Sequence, residues 1–135
     1  KAPNRVPIGI IRDVADNINI MADPLALGRA IDAVLENAVK YNDSPQVELR
    51  VSLKKTDGKA KLTIKDNGIG FNPKEHEAIF ERFYRIGSEL TRKYEGTGLG
   101  LYLSREIIRA HGGKIQAHSD GPGTGAEVTI TLKAV

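Results

Sequence analysis

The 135-residue sequence contains no cysteine. That excludes a disulfide framework and a thiolate zinc site, and it fits a reducing compartment. Apolar runs extend only a few residues, far short of the roughly 20 that span a bilayer. No segment resembling a signal peptide opens the chain, and a start at Lys1 without an initiator Met reads as the start of an excised fragment. Aromatic residues are sparse, with three Phe and four Tyr, and the Lys and Arg residues are spread along the chain. Both features argue against a nucleic-acid partner read by base stacking. There is no internal repeat and no low-complexity tract. The remainder is ordinary for a globular protein, with 40% hydrophobic and 27% charged residues. The length suits a single domain, residues 1–135, with one hydrophobic core. A net charge of +3 describes either a mildly basic solvated surface or a basic patch serving an anionic ligand.

Periodicity lays out the elements. Val6–Ile11 and Asn17–Met21 read as short strands. Asp23-Pro24 is a helix start, with Asp as N-cap and Pro at the first helical position. Leu27, Ile31, Val34, Leu35 and Ala38 then recur at three- and four-residue spacing, predicting an amphipathic helix to about Tyr41. Asn42-Asp43-Ser44-Pro45 stops it. Val47–Leu53 and Lys61–Lys65 alternate and flank an Asp57-Gly58 turn, which predicts an antiparallel hairpin. Pro73–Phe83 suggests one or two helical turns, and Gly87–Gly98 a long loop of functional character. Leu99–Ala110 is a second amphipathic helix closed by His111-Gly112-Gly113. Lys114–His118 and Glu127–Lys133 are strands. About six strands and two helices, mostly hairpin-linked, predict an α+β two-layer sandwich: a mixed, mostly antiparallel sheet with helices on one face.

Four groups of residues carry chemistry. Asn37, Lys40 and Tyr41 share a helix face, with Glu36 beside them. An amide oxygen, an ammonium and a phenol suit a metal–phosphate complex, although, taken alone, a polar solvated face with Tyr as a packing edge is the simpler account. Asp66-Asn67-Gly68-Ile69-Gly70 follows a strand, so an Asp fixed there can accept a hydrogen bond from an exocyclic amine, or simply sit in a turn. Gly96-Thr97-Gly98-Leu99-Gly100 enters a helix, where backbone N–H groups gather for an anion. No parallel βαβ unit surrounds these glycines and no Gly-Lys-Ser/Thr triplet occurs, so neither a dinucleotide fingerprint nor a P-loop is present. Arg82 and Arg85, in Phe80-Glu81-Arg82-Phe83-Tyr84-Arg85, could meet phosphate oxygens.

The order and spacing of these groups, over about residues 5–133, resemble the four boxes of the ATP-binding catalytic domain of sensor histidine kinases. That superfamily is shared with type II topoisomerases, chaperone ATPases and mismatch-repair ATPases. The resemblance implies that ATP lies between the main helix and a lid at about residues 84–97. It implies Mg²⁺ on Asn37, phosphate contacts from Lys40, Arg82 and Arg85, and a nucleotide lined by Tyr41. Asp66 would bind the adenine amino group, with Gly68 and Gly70 letting the base sit close. Gly96, Thr97, Gly98, Leu99 and Gly100 would hinge the lid and offer N–H groups. Catalytic roles would fall to Arg82 at the γ-phosphate and to Glu36 as a base or water-orienting group. The family usually carries a second Asn one turn before the metal Asn; here that position is Ala33, with Asp32 rotated about 100° away.

None of His76, His111 and His118 lies in a segment like that of a phosphoacceptor, and His111 reads as a helix-cap residue. The resemblance therefore implies a separate helical dimerisation and phosphoacceptor domain as partner, with a response regulator as the indirect recipient. It also implies a monomeric fragment on the cytoplasmic side of its sensor. Ala33 keeps open a non-catalytic nucleotide-binding module. An anti-sigma-type protein-serine kinase of the same superfamily is the other alternative, disfavoured by the phenylalanine-containing box.

Overall fold

A computed structural model describes residues 6–82, 84 and 100–135. Five strands form one sheet in the order β1-β2-β3-β5-β4. They are β1 (Ile8–Val14), β2 (Val47–Thr56), β3 (Lys59–Asp66), β4 (Lys114–His118) and β5 (Glu127–Lys133), with helices α1 (Pro24–Lys40) and α2 (Gly100–Ala110). Two single 3₁₀ turns, Pro73–Glu75 and Ala78–Phe80, fall in the expected helical stretch Pro73–Phe83, after the glycine segment. β1 pairs β2 in parallel across α1, and every other pairing is antiparallel.

Local chemistry accounts for the boundaries. Asp23 caps α1 as expected, its Oδ1 accepting from Leu25 N at 3.0 Å and Ala26 N at 3.2 Å. The β2–β3 hairpin turns on two residues at positive φ, Asp57 (52°) and Gly58 (74°). Two such residues define the tight turn whose twist suits a hairpin. The expected strand at Asn17–Met21 is reduced to one bridge between Ile20 and Ala134. Asn17 is left-handed, with φ 60°, and breaks the extended run. Five strands thus form rather than about six, and β1 is displaced toward Val14 from the expected Val6–Ile11.

The sheet register explains the two layers. Ala60, Leu62 and Ile64 of β3 pair with Leu132, Ile130 and Val128 of β5, and Ile115 and Ala117 of β4 continue the same rows. This apolar face packs beneath Ala30 and Val34 of α1 and Leu101 and Ile108 of α2. The opposite face carries Lys61, Thr63 and Lys65 against Thr131, Thr129 and Glu127, so no second helical layer is called for. Full burial of Val34 and Ile108 contributes about 1.5–3 kcal/mol each. The most buried positions on α1 are Ala30, Val34 and Ala38, with Leu27, Ile31 and Leu35 partly covered. The small Ala30 lets α2 approach, and Ser104 Oγ donates to the Ala30 carbonyl at 2.8 Å.

Candidate functional site

The C-terminal half of α1, the end of β3 and the loops after β3 and β4 converge on a slot. Apolar side chains, Phe71, Ile79, Leu101 and Val128 among them, form its walls, and Asn37, Tyr41, Asp66 and Gly70 also line it. Its volume is about 20 Å³, little more than one water occupies.

Asp66 is the polar centre of the slot. One oxygen, Oδ1, accepts from Gly68 N at 2.8 Å and Ala126 N at 3.2 Å. Among the described residues Oδ2 receives no hydrogen bond, which leaves it available to a donor. Burial raises the pKa of the carboxyl above its ordinary 3.8, against the opposing effect of the two backbone N–H groups.

Two loops hold this carboxylate. The Ile69 N–H donates to the Tyr41 carbonyl at 3.0 Å, so the end of α1 is tied to the glycine segment. A Cβ at Gly68 would collide with that same carbonyl. At Gly70, with φ +64°, a Cβ would sit 2.5 Å from the Gly121 carbonyl. Both glycines therefore permit close packing of backbone around Asp66. Ser119, buried, accepts from Phe71 N at 3.1 Å and donates to the Gly125 carbonyl at 2.7 Å. Asn67 joins a third segment: its Oδ1 accepts from Asn42 Nδ2 at 2.8 Å and Glu48 N at 2.9 Å, and its Nδ2 donates to the Gln46 carbonyl at 3.0 Å. Sequence reasoning did not single out Ser119, and it quoted Asn67 only as part of the glycine segment.

The other nominated residues lie as follows. Tyr41 is buried, Asn37 and Lys40 are half-buried, and Glu36 is exposed. Lys40 Nζ lies 5.0 Å from the centroid of the Tyr41 ring, within cation–π range. Arg82 is exposed, its guanidinium 5.5 Å from the centre of the Tyr102 ring. Gly100 opens α2, and a Cβ placed there would lie 4.0 Å from the Cβ of Ala33. Position 33 therefore faces the start of α2. Arg85, Gly96, Thr97, Gly98 and Leu99, with most of the expected lid, lie outside the described residues.

Among the described residues no group of three His, Cys, Asp or Glu is gathered for a metal. An ion here would rest on the Asn37 amide oxygen, phosphate oxygens and water, a set of hard oxygens that Mg²⁺ accepts. His111 takes the structural place expected of it. Its Nε2 accepts from Asp23 N at 3.0 Å while Nδ1 lies 2.8 Å from the Ile107 carbonyl, joining the N-cap of α1 to the end of α2.

The model of the family described as histidine kinase-, DNA gyrase B-, and HSP90-like ATPase matches residues 22–135, and the chain belongs to this family. Within it, the chain is a domain of the histidine kinase type. It is 38% identical over 128 residues to sensor protein kinase WalK of Staphylococcus haemolyticus, covering 93% of this chain and 21% of that protein. It is 40% identical over 115 residues to a WalK of Staphylococcus aureus, covering 84% and 28%. It thus spans only 21% and 28% of the length of these curated relatives. Among solved structures, the mycobacterial sensor histidine kinase MprB superposes with a TM-score of 0.81 at 31% identity, covering 94% of this chain and 82% of that one. Full-length ShkA in complex with AMPPNP gives 0.79 at 26% identity, covering 95% and 26%. The α+β sandwich is the fold of these kinase domains.

Proposed function

We propose that this domain binds ATP in the slot and transfers the γ-phosphate to a histidine on a separate helical domain, the acceptor histidine in turn supplying an aspartate on a response regulator. The observation that carries this reading is Asp66: a carboxylate in an apolar slot, with one oxygen saturated by backbone and the other available. Adenine supplies the matching donor in its exocyclic amino group. The aliphatic and aromatic walls suit the flat base, and Tyr41 borders it. Entry of the base requires the walls to part, since the slot now holds about 20 Å³.

From the base, the polyphosphate extends along α1 toward Gly100. Asn37 is the assigned metal ligand, and Mg²⁺ bound there would spread the charge of the phosphates. Lys40 supplies a point charge and Arg82 a planar fork for phosphate oxygens. Arg85 and the N–H groups of Gly96, Thr97, Gly98, Leu99 and Gly100 complete the phosphate end. Glu36, exposed one residue before Asn37, is assigned to orient the incoming nucleophile. Such a site works chiefly by positioning and electrostatic stabilisation. In this reading residues 1–135 are one monomeric domain, working on the cytoplasmic side of a sensor that pairs through its helical domain. No helix among the described residues is long and apolar enough to cross a membrane.

The test is a calorimetric titration of a non-hydrolysable ATP analogue with and without Mg²⁺, followed by ATP and a supplied helical acceptor domain. Saturable binding strengthened by Mg²⁺, with acid-labile phosphate appearing on the acceptor, is the expected outcome. No binding would remove the foundation of the reading. Ala33 beside Gly100 supports a second reading, a nucleotide-sensing module; binding indifferent to Mg²⁺, with no transfer, would select it.

A further inference from the structure

A second concavity, of about 340 Å³, lies along the outer edge of β4, bounded by α2 and by the 3₁₀ turns before Arg82. Where the nucleotide slot is walled mainly by apolar side chains, this cleft is lined by polar ones: His76, Glu77, Arg105, Arg109, Lys114 and Gln116. Three permanent cations face one carboxylate there.

Arg105 is the unusual member. Its side chain is 20% exposed, yet its Nε is buried and meets no hydrogen-bond acceptor among the described residues. Glu106 Oε2 stands 3.9 Å from it, and the same 3.9 Å from Arg109. At that distance it offsets charge without accepting a hydrogen bond. A guanidinium has five N–H donors and no acceptor, so a buried one calls for oxygen. A space of this volume holds many times the roughly 10–15 Å³ of one water.

We propose that this cleft is a binding site for a small oxyanion, a phosphate or carboxylate group, distinct from the nucleotide slot. Arg105 is its central donor, with Arg109 and Lys114 in the same lining. Planar guanidinium donors match the oxygens of such groups. Phosphate and acidic side chains share this chemistry, and the oxyanion can be free in solution or borne on a polypeptide. The Tyr102 ring lies 5.9 Å from the Arg105 guanidinium and 5.5 Å from that of Arg82, so one ring lies near both the central donor of the cleft and a candidate phosphate contact.

The experiment titrates the ¹⁵N-labelled domain with inorganic phosphate at constant ionic strength, following the Arg105 Nε–H resonance, and repeats it with a short unphosphorylated peptide of Asp and Glu. Saturable shifts at Arg105 with either probe support the site, the tighter probe identifying the source. Arg105→Gln should weaken binding by about tenfold, as expected for a lost hydrogen bond to a charged group. Lys114→Gln, on a strand edge where misfolding is not at issue, should weaken it severalfold, and Glu106→Gln should strengthen it. The proposal is overturned if neither probe moves Arg105, or if Arg105→Gln and Lys114→Gln leave affinity unchanged. The titration uses no nucleotide, so its failure and that of the ATP reading are separate results.

Discussion

The two ends of the candidate nucleotide site are built differently. At the base end, Asp66 is held by backbone N–H groups from two loops, and those loops are fastened by Ser119 and Asn67. At the phosphate end, Glu36 and Arg82 stand exposed on the surface and Lys40 and Asn37 are half-buried. Backbone donors fixed by tertiary structure cost nothing to order when a ligand arrives, whereas each long side chain gives up about 0.5–1.5 kcal/mol of rotamer freedom. In the proposed reading the polar anchor at Asp66 is therefore preformed even though the apolar walls must part for the base, while the phosphate contacts would be completed on binding.

The largest expected effect breaks the base end. In Asp66→Asn, the oxygen must stay where Gly68 N and Ala126 N donate, which places the new NH₂ group where Oδ2 was. Two donors would then face the adenine amino group, and affinity for the ATP analogue should fall by at least about 100-fold, from a lost charged hydrogen bond plus unpaired donors. The free domain should not suffer. Because burial raises the folded-state pKa of Asp66 above 3.8, the native state holds the proton more tightly than the unfolded chain. That contribution is complete below 3.8 and is lost as pH rises through the raised value. Removing the charge removes this loss, so melting curves should show the variant gaining on the parent as pH rises above the ordinary carboxylate value of 3.8. A variant that instead loses ground as pH rises would show that the charged carboxylate stabilises the loops.

A smaller effect separates fastening from recognition. Asn67→Ala deletes three side-chain hydrogen bonds, and chemical denaturation should show a loss of about 2 kcal/mol, since some of these bonds are exposed. Nucleotide affinity should drop severalfold, while the ratio of affinities with and without Mg²⁺ stays fixed. A changed ratio would mean that the two ends are not independent.

What the sequence could reveal follows the range of the interactions. The β2–β3 hairpin and the N-cap of α1 are set within a few residues, and both appear where alternation and capping chemistry put them. The strand expected at Asn17–Met21 failed because one left-handed residue outweighed a weak alternation. The place of Asp66 at a strand end was legible because a strand runs into an Asp followed by two glycines. Its supports were not. Asn67 reaches Asn42 across 25 residues, Ser119 reaches Phe71 across 48 and His111 reaches Asp23 across 88. Neither pattern nor propensity marks such pairs in a single chain. The roles of Gly68 and Gly70 were legible only in part: their freedom was expected, but the backbone carbonyls that would meet a side chain there come from Tyr41 and Gly121.

The smallest expected effect sharpens the phosphate end. Ala33 lies one turn before Asn37 on α1, facing Gly100 at the start of α2, at the position where the family resemblance implied an Asn. Ala33→Asn would add a second amide oxygen on the side of α1 that Asn37 presents. Mg²⁺ binds through few protein ligands and several waters, so replacing one water with an amide oxygen should raise the Mg²⁺-dependent gain in affinity by only about three- to tenfold. Affinity without Mg²⁺ should be unchanged, because nothing else in the slot is touched. Steric disturbance has a different signature: a Cβ added at Gly100 would lie 4.0 Å from that of Ala33, so position 33 adjoins α2, and an Asn side chain that displaced α2 would lower both affinities together. If only the Mg²⁺ increment grows, the α1 face carries the metal and the present chain works with one amide ligand fewer than the variant. If the increment is unmoved, the metal is not held on this face, and the role given to Asn37 falls while that of Asp66 stands.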